Sequence, residues 1–128
     1  MSQEHKQIII VQRHKENLDG IKHMMEQQLP KIVAKTMFFT SPNAALRASE
    51  GSDKKTIVIL GNVFEETDLK GNHFAGVFKG MMKNTKVYCY SVCPSPGNNW
   101  DGSIEKEWGT CGTGDHANLI EFLRPMET

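Results

Sequence analysis

Two runs of consecutive apolar residues, Ile8-Ile9-Ile10-Val11 and Ile57-Val58-Ile59-Leu60, constrain this chain more than any other feature. Each is apolar at every position, not at every second one. A strand with one wet face alternates, whereas a strand buried on both faces does not, and the latter is typical of parallel sheets covered by helices. Parallel neighbours cannot be joined by a tight turn; they need a crossover of about a dozen residues or more, usually helical.

The sequence around these runs supplies such crossovers. Residues 7–11 form the first strand. Residues 16–29 read as a helix, because Leu18, Ile21, Met25 and Leu29 recur at helical spacing, with Pro30 as its stop. Gly20 inside it costs about 1 kcal/mol relative to alanine. Residues 36–40 form a second strand. Ser41-Pro42 is an N-cap followed by proline at the first helical position, residues 43–49 form a short helix, and Gly51 closes it. Residues 56–60 form the third strand. A polar loop with Glu65, Glu66 and Asp68 covers 62–73, and Phe74, Val77, Phe78, Met81 and Met82 then mark an amphipathic helix ending near Asn84. Residues 86–92 form the fourth strand.

Beyond Val92 the pattern weakens. Residues 93–103 hold two prolines, two glycines and two asparagines and read as a loop. Ile104 to Trp108 fits one helical turn. The glycine-rich stretch Gly109–Gly114 holds either a short last strand or a loop. Asp115 caps a closing helix with Leu119, Ile120 and Leu123 on one face and Pro125 at its end. The expected fold class is therefore α/β: a three-layer, doubly wound, mainly parallel five-stranded sheet, flavodoxin-like or receiver-like, with an irregular C-terminal third. Residues 1–128 are expected to form a single domain.

Charge and cysteine content narrow the function classes. Fifteen basic and fifteen acidic residues cancel, so no global field attracts nucleic acid or an anionic membrane. The polar start, Met1-Ser2-Gln3-Glu4-His5-Lys6, has no apolar signal region, and no apolar run approaches the roughly 20 residues of a membrane span. Three cysteines do not make a secreted disulfide framework. A cytoplasmic protein without nucleic-acid or membrane partners is expected.

The spacing of these elements resembles the response-regulator receiver domain over nearly the whole chain. That family places an acidic pair directly after the first strand to hold Mg²⁺; the matching residues here are Gln12 and Arg13. Its phosphoacceptor aspartate ends the third strand; Gly61, or Asn62 one residue on, stands there. A Ser or Thr ends the fourth strand, and Ser91 matches. A Lys ends the fifth, and the stretch Cys111-Gly112-Thr113, taken as the match, has none. The resemblance implies a pseudo-receiver, with the fold kept and the acid pocket lost. Mg²⁺ needs hard oxygen ligands, usually carboxylates, whereas Arg13, His14 and Lys15 put positive groups at that place.

Other constellations are weaker. Arg13, His14 and Ser91 could bind an anion, with loop amides helping; the plainer reading is a solvated turn. Cys89, Cys93, Cys111 and His116 invite a metal site. However, two cysteines four residues apart on a strand lie about 13 Å from each other at roughly 3.3 Å per residue, and no Cys-x2-Cys pair or second His at ligand spacing is present. No metal and no cofactor are expected. The segment Gly109–Asp115 carries neither the dinucleotide fingerprint nor the P-loop lysine pattern. Trp100 and Tyr90 are the aromatic candidates for a partner surface, set against simple coverage of a strand face.

The functional expectation is a non-enzymatic, non-phosphorylatable pseudo-receiver. It would dock a protein partner in bacterial signalling, and a homodimer is compatible with it. The alternative is a flavodoxin-like small-ligand or anion-binding domain using the loops after residues 11, 61 and 91. A small enzyme with Cys93 or Cys111 as nucleophile ranks third, because no base is placed beside either thiol.

Overall fold

The structure, a computed structural model, describes residues 7–61, 71–91, 97–106 and 116–127. The elements are β1 (Gln7–Val11), α1 (Lys15–Gln28), α2 (Pro30–Val33), β2 (Thr36–Phe39), α3 (Pro42–Ser49), β3 (Thr56–Leu60), α4 (Gly71–Met81), β4 (Thr85–Ser91), β5 (Gly102–Glu105) and α5 (Ala117–Leu123), followed by a 3-10 turn at Arg124–Glu127. The five strands form one sheet in the order β2-β1-β3-β4-β5, and every pairing is parallel. This is the flavodoxin-like order, with the direction of strand addition reversing between β1 and β3.

β1 and β3 are buried at every residue, as their unbroken apolar runs require. Their side chains alternate between two cores. Ile8, Ile10, Ile57 and Ile59 pack with Leu18, Ile21 and Met25 of α1, Ile32 of α2, and Leu119, Ile120 and Leu123 of α5. Ile9, Val11, Val58 and Leu60 pack with Ala45 of α3 and with Phe74, Ala75 and Phe78 of α4. Helices thus cover both faces, giving the expected three layers.

Local signals explain most element ends. The Ser41 hydroxyl accepts from the Ala44 amide at 3.1 Å, and Pro42 occupies the first turn of α3. Gly51 adopts φ +79°, a left-handed conformation that glycine enters without strain. Pro30 does not simply stop a helix. It opens α2, whose first-turn amides at Lys31 and Ile32 both donate to the Glu127 carboxylate at 3.0 Å. Helix α4 begins at Gly71, inside the stretch expected to be loop. The fourth strand begins one residue earlier than expected, at Thr85.

The largest correction concerns the fifth strand. It is Gly102–Glu105, where a loop end and a helical turn at Ile104–Trp108 were expected. As an edge strand it buries only Ile104, so it lacks the apolar run that announces β1 and β3. Ile104 and Trp108, four apart, imitate helical spacing. The stretch Gly109–Gly114 lies outside the described residues.

The connection into β5 crosses on the α4 side. Its described part, residues 97–101, contains no helix. Instead it is fastened by side chains. The Asn99 amide donates to Asn72 Oδ1 at 3.1 Å and Asn99 Nδ2 donates to the Asn72 carbonyl at 3.0 Å. The Asp101 carboxylate accepts from the Val87 amide at 2.8 Å and from Lys79 Nζ at 3.1 Å. Gly97 holds φ +149°, and a Cβ there would fall 2.2 Å from the Asn72 side chain.

Candidate functional site at the carboxyl ends of the strands

In an open parallel sheet the crevice for function lies outside the carboxyl ends of the strands, at the point where strand order reverses. Here that point lies between β1 and β3. β1 runs into Gln12, β3 into Gly61, β4 ends on Ser91 and β5 runs into Lys106. The backbone binds these ends together. The Gly61 amide donates to the Val11 carbonyl at 3.1 Å, Gln12 N to Phe39 O at 3.1 Å, and Lys106 N to Ser91 O at 3.2 Å.

Gln12 is only 2% exposed. Its Nε2 donates to the Val11 carbonyl at 3.0 Å, and its Oε1 accepts from Lys106 Nζ at 3.1 Å. The lysine side fixes this orientation, because an ammonium donates only and must meet the amide oxygen. The amide also lies beside Gly61: a Cβ at that position would sit 3.6 Å from Gln12 Nε2, in ordinary contact. The volume next to the end of β3 is therefore held by a neutral amide.

Lys106 is the strand-end residue that the sequence does not announce. It directly follows the true fifth strand, so the expectation that no lysine stands there is overturned. The strand ends at Glu105, ahead of the stretch Cys111–Thr113 expected to hold its end. The usable signal was the alternation in Ser103-Ile104-Glu105, which is strand-like but short. Lys106 is buried, with 9% exposure, and its Nζ lies 5.3 Å from the Tyr90 ring centroid, within cation–π range.

Tyr90 is buried at 1% exposure and packs in the α1/α5 core, so it is no surface contact for a partner. A tyrosine on a strand face without a wet side turns inward, and its hydroxyl then needs a partner. It finds one in His116 Nδ1, 2.6 Å away, at the N-cap of α5. A continuous line of contacts thus runs Gln12–Lys106–Tyr90–His116, from the end of β1 to the start of α5.

Trp100 is half-buried against the α3/α4 core, and its ring would touch a Cβ on Gly71 at 3.0 Å. Its Nε1 is buried without a hydrogen-bond partner. It is a packing residue of the 97–101 connection more than a free anchor.

Arg13 and His14 are exposed on the turn into α1. Ser91 is partly buried two strands away across β3, so strand spacing alone separates the two places by roughly 10 Å. Arg13, His14 and Ser91 share one end of the sheet without converging in the described contacts. Cys89 is buried on the strand face opposite to Tyr90, so it cannot join His116 at one metal ion. No group of three potential ligands that could hold a metal ion occurs among the described residues. Asn62, Cys93, Trp108, Cys111 and Asp115 lie outside the described residues.

The fold and site define a flavodoxin-like, all-parallel α/β protein whose strand-end position is occupied by an amide–ammonium contact. No protein-family model, no curated protein and no solved structure matches the chain. Among the described residues, no helix is long and apolar enough to cross a membrane.

Proposed function

We propose that this chain is a receiver-like domain that has exchanged phosphotransfer for docking, a pseudo-receiver acting as a protein-interaction module in bacterial signalling. The observation that carries this reading is the Gln12–Lys106 contact at 3.1 Å. Aspartyl phosphorylation needs a carboxylate nucleophile at the end of β3 and hard oxygen ligands for Mg²⁺ at the end of β1. Gly61 has no side chain to attack with. Gln12 commits its amide oxygen to an ammonium and its nitrogen to the Val11 carbonyl. The lysine after β5 keeps its place and is satisfied from within the chain, with no need for a phosphoryl group. The strand order 2-1-3-4-5 supports the same family reading.

The test is incubation of the full chain with acetyl phosphate and Mg²⁺, followed by intact mass and peptide mapping. The expected result is no acid-stable, hydroxylamine-sensitive adduct. An acyl phosphate on any carboxylate near the strand ends overturns the reading.

A further inference from the structure

Strand β2 is one edge of the sheet, and all four of its residues, Thr36, Met37, Phe38 and Phe39, are only partly buried. Lys35 O accepts from Ile8 N and Phe39 O accepts from Gln12 N, so the odd-numbered residues spend their backbone groups on β1. Backbone groups alternate direction along a strand, so the N–H and C=O of Phe38, and those of Thr36, point away from the sheet. No further strand lies outside β2 among the described residues. The side chains flanking this edge are apolar on both faces: Phe38 on the α1 side, Met37 and Phe39 on the α3 side.

The charges around it are mostly of one sign. Lys22 Nζ sits 5.9 Å from the Phe38 ring centroid, Lys35 directly precedes the strand, and Arg13 follows Gln12, whose amide bonds to the carboxyl end of β2. Asp19 and Glu26, one turn to either side of Lys22 along α1, are the opposing acids, and Asp19 is paired with Lys15 at 3.0 Å. Resting on the docking reading above, we infer that the β2 edge accepts an extended acidic segment of another protein as a sixth strand. Main-chain hydrogen bonds to Thr36 and Phe38 would set its register, alternate apolar side chains would lie on Phe38, Met37 and Phe39, and carboxylates would face Lys22, Lys35 and Arg13. A second copy is disfavoured as occupant, because a two-fold β2–β2 pairing would bring the same cations together.

The experiment records amide spectra of the full-length protein during titration with a terminally blocked Glu-Val-Glu-Val-Glu-Val-Glu peptide, and separately with its lysine counterpart. The acidic peptide should give saturable shifts and slowed hydrogen exchange at Thr36 and Phe38, and the basic one should not. Lys22→Glu should weaken the acidic peptide about fivefold, the size expected of reversing one exposed charge contact. Phe38→Pro removes an outward N–H that β1 does not use, and should abolish binding while the β1 and β3 amides keep their protection from hydrogen exchange. Equal response to both peptides, absence of saturable shifts at β2, or self-association through β2 overturns the proposal. A negative peptide titration together with a negative phosphorylation assay would sink the edge proposal alone; an acyl phosphate would sink the reading beneath it.

Discussion

At the scale of single residues, the Gln12 side chain is the most consequential small feature of the molecule. It is buried, and both polar atoms of its amide are used, one on backbone and one on a charged side chain. Gln12→Leu keeps most of the volume but leaves Lys106 without this acceptor in a buried place. A hydrogen bond to a charged group contributes about 1.5–3 kcal/mol, so denaturant unfolding should show a loss of that order. An unchanged midpoint would mean that the contact is not formed in solution. Trp100 gives a second check. Trp100→Ala opens space against Gly71 and the α3/α4 core and should cost about 2–4 kcal/mol, toward the lower end for a half-buried ring. Trp100→Phe should cost less than Trp100→Ala, because it keeps a ring there and removes an indole N–H that is buried without a partner. Thermal melts of the two variants side by side decide this; equal melting temperatures for wild type and Trp100→Ala would place the indole on the surface.

At the scale of elements, two joints depend on short-range chemistry. The N-cap at Ser41 supplies the Ala44 amide with an acceptor, and Ser41→Ala should cost about 1 kcal/mol, read from the unfolding midpoint. Glu127 accepts from both Lys31 N and Ile32 N, which ties the carboxyl-terminal turn to the start of α2. Glu127→Ala should speed hydrogen exchange at Lys31 and Ile32 while leaving β1 and β3 protected; unchanged exchange there would contradict the clasp. These elements also show what the sequence could disclose. β1, β3 and the helices α1, α3 and α4 are legible because each buries a full face, and burial writes itself as an apolar run or a helical stripe. β5 was not legible: an edge strand that buries only Ile104 leaves no period to read. The misplaced strand hid Lys106, and with it the contact that defines the site. Gln12, Gly61 and Ser91 are legible because they stand at the ends of strands that the apolar runs announce. Tyr90 reads as a surface candidate in the sequence because alternation in β4 does not say which face is wet, and in this sheet neither is.

At the scale of the whole molecule, the parallel five-stranded sheet sets where function can sit. Its two faces are covered by helices, so the strand ends and the sheet edges are what remain available. At the ends of β1 and β3, Gln12 and Gly61 stand where phosphotransfer would need carboxylates. At the β2 edge, open backbone groups lie among apolar side chains and cations. The most direct measurement is an amide-spectrum titration of the full-length protein, first with Mg²⁺ and then with beryllofluoride, a mimic of the phosphoryl group. The account predicts that the amides of Gln12, Gly61, Ser91 and Lys106 keep their positions throughout. A saturable, Mg²⁺-dependent shift of those four amides on adding beryllofluoride would contradict it, because it would show a working acid pocket where the structure places Gln12 and Gly61.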